Sequence, residues 1–215
     1  MQGLSAAEEE AYYALTSKAF SLLAPFYNLM TLPLTRVRQQ VVDFARPRHG
    51  ALVLDVATGT GQQAFAFAER GCQVVGVDLT QPMLSIAWQH TRKALVKFET
   101  GDATDLRYAD DHFDITCISF ALHDMPLAIR AKVLREMVRV TKIDGTLVIV
   151  DYGLPSGSLS RALAFGLISL YERGYYREFI GSNLITALEE AGIQVTQELD
   201  ALWGIARILK GRKRR

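Results

Sequence analysis

Residues 52–64 read LVLDVATGTGQQA: an apolar run that ends near an acid, then a turn of small residues, then a helical pattern. The turn residues Ala57, Gly59 and Gly61 have little or no side chain, so a ligand can lie against their backbone. The amides that open the following helix offer hydrogen-bond donors at its positive end. Because open α/β sheets bind ligands at the carboxyl ends of their strands, this segment predicts a ligand site.

Around this turn, short β-branched runs alternate with helical patterns across residues 51–151. Such alternation is typical of βαβ units, whose parallel strands are covered by helices on both faces. We expect an α/β fold with a doubly wound, seven-stranded, mainly parallel sheet whose last strand is antiparallel. The predicted strands are 51–56, 73–78, 95–99, 113–119, 146–151 (after a turn at Asp144-Gly145), 193–199 and 204–209. The predicted helices among them are 62–70, one capped by Thr80, 127–140, and 182–191, capped by Ser182.

A single domain accounts for residues 1–215, since this is an ordinary domain length. Residues 1–46 predict an N-terminal helical lid that is broken at Pro25 and Pro33. Residues 51–151 are the expected ligand-binding core. Residues 182–210 are the expected last helix and strand pair. Between these parts, residues 155–181 predict a helical insertion rich in aromatic residues: Phe165, Tyr171, Tyr175, Tyr176 and Phe179.

The composition is that of a folded protein: 49% of the residues are hydrophobic and 22% charged, which excludes disorder and low-complexity repeats. A net charge of +1 gives no long-range field that would gather nucleic acid. Cys72 and Cys117 belong to no Cys/His cluster, so we expect no disulfide and no metal site. Glu8, Glu9 and Glu10 stand where a signal peptide is basic and then apolar, which predicts a cytoplasmic protein.

Acidic residues close three consecutive predicted strands: Asp55, Asp78 and Asp102. Asp55 would repel a pyrophosphate but would pair with the ammonium of an amino-acid group. Asp78 stands 19 residues after Gly59, close to the spacing of a carboxylate that binds a ribose diol. Asp102 suits an exocyclic amine such as that of adenine, and an Asx turn, or Asp105 as the contact instead, are alternatives. Together these groups favour S-adenosylmethionine, although the glycine spacing also fits a nicotinamide dinucleotide.

Five stretches resemble the successive motifs of class I S-adenosylmethionine-dependent methyltransferases, most closely the ubiquinone/menaquinone biosynthesis branch: DVATGTG, VVGVDLTQPML, GDATDL, DDHFDITCISFALHDMP and EMVRVTKIDGTLVIVDY. The resemblance implies S-adenosylmethionine as cofactor and S-adenosylhomocysteine as product. It assigns the cofactor contacts as follows: the methionine part to Asp55, Ala57, Thr58, Gly59, Thr60 and Gly61, the ribose to Asp78, and the adenine to Leu79, Met83, Asp102 and Ala103. Ser119 would line the pocket from below, and Tyr27 would close over the cofactor. One departure is Asn28, where the family often has aspartate.

His123 follows the fourth predicted strand, where the methyl group and its acceptor would meet. Its imidazole is a candidate general base, oriented by Asp124 or Asp151, and the alternative role is to cap or line the pocket. Three aromatic residues are candidates for contact with the acceptor or the sulfonium, with core packing as the alternative: Tyr152, Tyr175 and Tyr176. We expect three further histidines to be solvated and to carry no chemistry: His49, His90 and His112.

The predicted function is methyl transfer from S-adenosylmethionine to a small, fairly apolar acceptor such as a quinol, phenol, amine or lipid headgroup. The alternatives are an NAD(P)-dependent reductase and a non-catalytic module that binds S-adenosylmethionine. Nucleic acid is not an expected partner, because no NPPY- or DPPY-like sequence follows the fourth strand. The basic run from Lys210 to Arg215 is expected to be a solvated tail, with weak contact to a membrane surface as the alternative.

Overall fold

The computed structural model describes residues 4–91, 95–155, 157, 161–162, 165–166 and 174–214. The strands are β1 (Leu52–Val56), β2 (Gln73–Asp78), β3 (Val96–Thr100), β4 (Phe113–Ser119), β5 (Thr141–Tyr152), β6 (Ile193–Ala201) and β7 (Ala206–Lys213). They form one seven-stranded sheet in the order β3-β2-β1-β4-β5-β7-β6. β7 is antiparallel to both neighbours and the other pairs are parallel. The predicted doubly wound, mainly parallel α/β fold is confirmed.

Helices cover both faces of this sheet. In the described residues they are α1 (Ala6–Met30), α2 (Thr35–Ala45), α3 (Gln62–Glu69), α4 (Gln81–His90), α5 (Leu127–Val140), α6 (Tyr176–Gly181) and α7 (Leu184–Glu190). Short 3₁₀ turns lie at Leu32–Leu34, Leu122–Asp124 and Leu202–Gly204. Within this described part of the chain, no helix is both long enough and apolar enough to cross a membrane.

The central strand β1 sends its side chains alternately into two buried cores, as the period of a strand requires. Val53 lies in the core that α2 and α3 cover, and Leu54 lies in the core that α5 and α7 cover. Both side chains are fully buried. A strand buried on both faces explains why residues 52–56 show an almost continuous apolar run instead of alternation. This double burial fixes the carboxyl end of β1 beneath the candidate site.

Helix α1 continues through Pro25, so the break predicted there is wrong. A proline inside a helix costs about 3 kcal/mol, because it removes one backbone hydrogen bond and its ring crowds the preceding turn. Phe20 and Tyr27, on either side of Pro25, pack edge to face with ring centroids 6.4 Å apart. An aromatic pair of this kind contributes about 0.5 to 1.5 kcal/mol, which offsets part of that cost. The break predicted at Pro33 is confirmed, since that residue lies in the 3₁₀ turn between α1 and α2.

Several element boundaries differ from the prediction by a few residues, and two of these differences have a clear local cause. β5 begins at Thr141 rather than at residue 146, because residues 142–145 bulge out of the pairing with β4 and absorb the expected turn. Helix α7 is capped by Asn183 rather than by Ser182. The Asn183 carboxamide oxygen accepts a hydrogen bond from the backbone amide three residues later, at 3.3 Å. Asparagine and serine are comparable caps, so the sequence did not distinguish them.

The basic C-terminal residues lie in the sheet, so the expected solvated tail is wrong for Lys210 and Lys213, which belong to β7. The Lys210 ammonium donates to the carbonyls of Phe44 and Ala45, both at 3.2 Å. These carbonyls close α2, where the helix dipole is negative and backbone acceptors lack helical partners. The Lys213 ammonium donates to Asp111 Oδ1 at 2.6 Å. Both ammonium groups therefore form hydrogen bonds within the protein.

Candidate active site

A cavity lies at the carboxyl ends of β1, β2 and β4, beneath α1. It encloses about 760 Å³, part of which is open to solvent. Helix α1 supplies Tyr12, Tyr13, Thr16, Phe20 and Tyr27. The sheet edge and the loops after its strands supply Ala57, Gly59, Val77, Asp78, Leu79, Thr80, Gly101, Asp102, Ala103, Thr104, Phe120 and Ala121. The remaining wall consists of Met83, Asp124, Met125, Ile129 and Val133.

The glycine-rich turn forms the floor of this cavity. Ala57, Gly59 and Gly61 all have left-handed backbone conformations, with φ of 52°, 55° and 78°. A Cβ on Gly61 would overlap the ring of Phe98, so only glycine fits there. A Cβ on Gly59 would have Tyr27 Cε1 as its neighbour at 3.9 Å, which leaves the cavity side of the turn open. Ala57 adopts its left-handed conformation at a cost of about 1 to 2 kcal/mol.

Asp55, at the end of β1, is a buried carboxylate directly behind the turn, with a side chain that is 1% exposed. The Thr58 hydroxyl donates to its Oδ2 at 2.5 Å. Burial, assisted by the nearby charge of Asp78, raises the pKa of Asp55 to about 7. Asp55 is not among the described residues that line the cavity. It can act on a ligand from behind the turn, as a charge that a bound cation would stabilise in its ionised form.

Asp78, at the end of β2, faces the cavity and holds two loops together. Its Oδ2 accepts from the amide of Gly59 at 2.7 Å, and its Oδ1 accepts from the amide of Thr80 at 2.8 Å. Burial raises the pKa of Asp78. A carboxylate has about four acceptor positions, so two further hydrogen bonds from a ligand can be accommodated. This geometry suits a pair of adjacent hydroxyl groups.

Asp102 lines the cavity and also forms the Asx turn that was the alternative to ligand binding. Its Oδ1 accepts from the amide and the hydroxyl of Thr104, both at 2.8 Å. Thr104 also contacts the Tyr13 hydroxyl at 3.3 Å, which connects this turn to α1. Asp105 is exposed and is not one of the described lining residues, so Asp102 is the better candidate for contact with a ligand.

Apolar walls and a polar tie complete this half of the cavity. Met83 is buried while Leu79 is 37% exposed, and both line the space together with Ala103. Thr60 lies outside the described lining, but its hydroxyl donates to Asn28 Oδ1 at 2.6 Å. Asn28 is the residue at which this chain departs from the family pattern. There, it ties the end of α1 to the glycine-rich turn.

Ser119, which was expected to line the pocket, is not among the described residues that line the cavity. Its Oγ lies 3.5 Å from the sulfur of Cys117, inside the sheet. The next residue, Phe120, takes a left-handed conformation with φ of 52° and lines the cavity in its place. A bulky residue in this conformation is uncommon and marks local strain at the end of β4. The cavity wall at the end of this strand is therefore formed by Phe120, one residue after the predicted Ser119.

His123 lies behind the cavity wall in a chain of three polar groups. Its Nδ1 is 2.7 Å from Asp151 Oδ1, and its Nε2 is 3.5 Å from Asp124 Oδ2. The carboxylate of Asp151 can only accept, so Nδ1 carries the proton and Nε2 is left as the acceptor. His123 is 2% exposed and outside the described lining, whereas Asp124 faces the cavity. Asp151 is thus the orienting group, and Asp124 stands between the imidazole and the cavity.

A buried arginine fixes the turn that carries this chain. Arg130 donates through Nε to the carbonyl of Leu122 at 3.1 Å and through Nη2 to the carbonyl of Met125 at 2.9 Å. Its guanidinium lies 4.9 Å from the centroid of the Phe179 ring in α6. Two carbonyls on either side of His123 are therefore held by one side chain that is itself 1% exposed.

Of the three tyrosines proposed to contact an acceptor, Tyr152 packs directly on His123, and the other two pack on neighbouring tyrosines. Tyr152 packs against His123 at 4.7 Å and against Tyr176 at 5.5 Å between ring centroids. Tyr175 packs edge to face on Tyr12 at 6.1 Å. None of the three is among the described residues that line the cavity, and Tyr176 is fully buried. Tyr171 lies outside the described residues.

Comparison with known proteins identifies the family. Residues 54–149 match the family described as a methyltransferase domain. A demethylmenaquinone methyltransferase of Thermus thermophilus is 36% identical over 158 residues, which cover 69% of this chain and 69% of that protein. The chain belongs to the class I S-adenosylmethionine-dependent methyltransferases. Another demethylmenaquinone methyltransferase, of Paenarthrobacter aurescens, is 38% identical over 149 residues, which cover 67% of this chain and 57% of that relative's length.

The fold of this methyltransferase family is also found by structural comparison. A solved SAM-dependent methyltransferase of Aquifex aeolicus superposes with a TM-score of 0.63 at 21% sequence identity. The superposition covers 81% of this chain and 88% of that one. The chain spans less than two thirds of the length of the Paenarthrobacter relative.

S-adenosylmethionine is the cofactor of this family, and the donor set of the cavity fits it. The buried carboxylate of Asp55 would be stabilised by the ammonium of the methionine part. Asp78 has acceptor positions for the two hydroxyls of a ribose. Met83 and Leu79 offer apolar surfaces to a purine, and Asp102 offers a carboxylate to its amine.

The lining residues that sequence reasoning left without a role lie mainly on α1 and α5. On α1, Tyr13, Thr16 and Phe20 recur with Tyr27, which the sequence had already assigned to the cofactor, at spacings of three, four and seven, the periodicity of one helical face. This signal was present in the sequence, but the expected break at Pro25 divided it. Ile129 and Val133 of α5 carry no such signal, because apolar residues at helical spacing usually belong to a core.

Proposed function

We propose that the protein transfers a methyl group from S-adenosylmethionine to a small, fairly apolar acceptor of the quinol or phenol class. The observation that carries the proposal is that one cavity is lined both by carboxylates at the ends of β2 and β3, Asp78 and Asp102, and by apolar residues at and before α5: Met125, Ile129 and Val133. We call these two parts of the lining its polar end and its apolar end. The polar end suits the cofactor, and the apolar end suits an aromatic ring. Two relatives, named as demethylmenaquinone methyltransferases, support a quinol-like acceptor.

In this proposal the polar end holds the cofactor. Asp55 pairs with the ammonium through the glycine-rich turn, Asp78 receives the ribose hydroxyls, and Asp102 receives the adenine amine. Leu79 and Met83 lie on the faces of the adenine. When bound, the cofactor supplies a methyl group on a positively charged sulfur. The protein then contributes alignment, worth up to about 7 to 11 kcal/mol in favourable reactions, and exclusion of water beneath α1.

The polar chain at the apolar end of the cavity supplies a route for a proton. A quinol or phenol must lose a proton when its carbon or oxygen takes up the methyl group. Asp124 faces the cavity and can carry that proton to Nε2 of His123, whose ring is held by Asp151. His123 is then the final proton acceptor rather than the group that touches the substrate. General base catalysis of this kind contributes about 10² to 10⁴ in rate.

Binding and turnover test the proposal separately. We expect S-adenosylhomocysteine to bind in titration calorimetry and NADH not to bind, because the buried Asp55 carboxylate opposes a diphosphate. With labelled S-adenosylmethionine, a 1,4-naphthoquinol should gain label, while an aliphatic amine of similar size should not. The Ile143→Gln variant is a matched control, because Ile143 is an exposed residue in the bulge that opens β5, away from the cavity. Binding of NADH without S-adenosylhomocysteine would contradict the cofactor, and labelling of the amine alone would contradict the acceptor class.

A further inference from the structure

The outward face of α1 carries a row of exposed apolar side chains. Leu15, Leu22, Phe26 and Leu29 are 69%, 70%, 63% and 73% exposed. They follow one another at spacings of seven, four and three residues, so they lie along one side of the helix. Leu32, in the following 3₁₀ turn, is 63% exposed and extends the row. We call these five residues the outer row. Contiguous exposed apolar surface of this kind marks a contact site.

The inward face of the same helix covers the cavity. Tyr13, Thr16, Phe20 and Tyr27 line it and share a second helical face. A helix with its side chains is about 10 to 12 Å across. A surface that contacts the outer row is therefore separated from the cavity by the thickness of α1 alone.

The charged residues interspersed with the outer row are basic, whereas the acids of this segment lie beyond its two ends, at residues 8–10 and at Asp43. Residues 11–42 contain Lys18, Arg36 and Arg38 and no aspartate or glutamate. Lys18 and Arg36 are exposed. The acidic residues of α1 lie before the row, and Glu9 among them is paired with Lys132 at 2.8 Å. An apolar row flanked by basic residues fits the interface of an anionic lipid bilayer, where leucine and phenylalanine enter the headgroup boundary and basic residues meet the lipid charge.

We propose that α1 docks the protein on an anionic lipid bilayer through the outer row, with Lys18 and Arg36 against the lipid headgroups. A second copy of the chain fits this face less well. A two-fold contact centred on the row would place its basic residues against themselves, and the nearest acids of the segment, Glu10 and Asp43, lie beyond the two ends of the row. The docking goes beyond the proposed methyl transfer, and it needs no methyl acceptor. The proposal places the membrane contact on α1 and not at the C-terminus, which the sequence had suggested as an alternative. There, Lys210 and Lys213 bind groups of the protein itself.

Vesicle flotation tests the docking directly. The full chain is mixed with vesicles of phosphatidylcholine alone, or of phosphatidylcholine with phosphatidylglycerol, and the fraction that floats is measured. We expect strong flotation with the anionic vesicles and a loss of about fivefold in partitioning for each of Lys18→Gln and Arg36→Gln, which remove one positive charge. A Leu22→Gln/Phe26→Gln double variant should lose about tenfold or more. Ile143→Gln should float like the wild type, since Ile143 is 58% exposed but lies outside the outer row.

Two further measurements keep the result interpretable. The affinity for S-adenosylhomocysteine should be the same in the double variant and the wild type, because Leu22 and Phe26 do not line the cavity; this shows that the variant is folded. Analytical ultracentrifugation without lipid should give a monomer for both. Wild-type protein that fails to float with either vesicle, or a double variant that floats as well as the wild type, would overturn the proposal. A wild-type dimer that the double variant dissociates would overturn it in favour of self-association.

Discussion

Asp55 is expected to make ligand binding depend on pH in the neutral range. With its pKa raised to about 7 by burial, roughly 3% of Asp55 is ionised at about pH 5.5 and roughly 75% at about pH 7.5. The ammonium of S-adenosylhomocysteine keeps its proton at both pH values and attracts only the ionised form. Because the raised pKa favours the protonated form at low pH, affinity should increase as pH rises and level off above 7. The expected gain between the two pH values is about 25-fold, or about 2 kcal/mol of binding free energy.

Titration calorimetry at several pH values measures this dependence, and buffers of different ionisation enthalpy report the proton that binding releases. Near pH 6 the release should approach about one proton per ligand, because most of Asp55 must ionise on binding. The Asp55→Asn variant should bind weakly at every pH and release no proton. Asp105→Asn is the matched control, since Asp105 is an exposed carboxylate near the cavity that does not line it. It should keep the wild-type curve.

A wild-type affinity that stays constant between these pH values would refute the pairing of Asp55 with the ligand ammonium. The same conclusion would follow if Asp55→Asn kept the wild-type affinity and proton release. Either result would leave the fold unaffected and would move the ammonium contact to another group.

Three other expectations can be checked on single variants. Gly61→Ala should lower the free energy of unfolding by about 2 kcal/mol or more in urea titrations, because residue 61 is left-handed and the new Cβ would overlap Phe98. Gly59→Ala has no such overlap and should lower it by about 1 kcal/mol. Equal losses in the two variants would contradict this explanation. His123→Ala should slow turnover about 100-fold with little change in affinity for S-adenosylhomocysteine, and an equal loss of both would argue against a role in proton transfer. Arg130→Met should lower the free energy of unfolding by about 3 kcal/mol, because the buried carbonyls of Leu122 and Met125 lose their donor. Thermal or urea unfolding measures the change. An unchanged stability would show that these carbonyls find other donors.

Local signals predicted the sheet and the polar end of the cavity. The strand Phe113–Ser119 and the helix Leu127–Val140 have the predicted bounds, because each shows the apolar periodicity of its own element along its length. Asp78 and Asp102 lie where expected, because an acid that directly follows a parallel strand must reach the carboxyl edge of the sheet. The positions of these side chains are set by residues close to them in the sequence, so one sequence is enough to predict them.

Helix α1 and the position of His123 depend on contacts between distant residues, so the sequence did not predict them. Pro25 is a local signal for a break, yet α1 continues through it, and the contact of Phe20 with Tyr27 across the proline offsets part of its cost. His123 and Asp124 are adjacent in a 3₁₀ turn, and either could have faced the cavity. The hydrogen bonds from His123 to Asp151, 28 residues later, turn the imidazole inward and leave Asp124 at the wall.

The two ends of α1 are fastened by interactions of different kinds, which sets the order in which this cover can open. Near its C-terminal end, the neutral hydrogen bond between Asn28 and Thr60 is insensitive to ionic strength. Near its N-terminal end, the ion pair of Glu9 with Lys132 is partly exposed, and dissolved ions weaken such pairs. Added salt should therefore loosen the N-terminal half first, because the ion pair there weakens even though the neutral hydrogen bond of Tyr13 with Thr104 does not. Product release would then become faster at the end of the cavity that Tyr12 and Tyr13 cover. The C-terminal end of α1 would stay bound to the glycine-rich turn through Asn28 and Thr60.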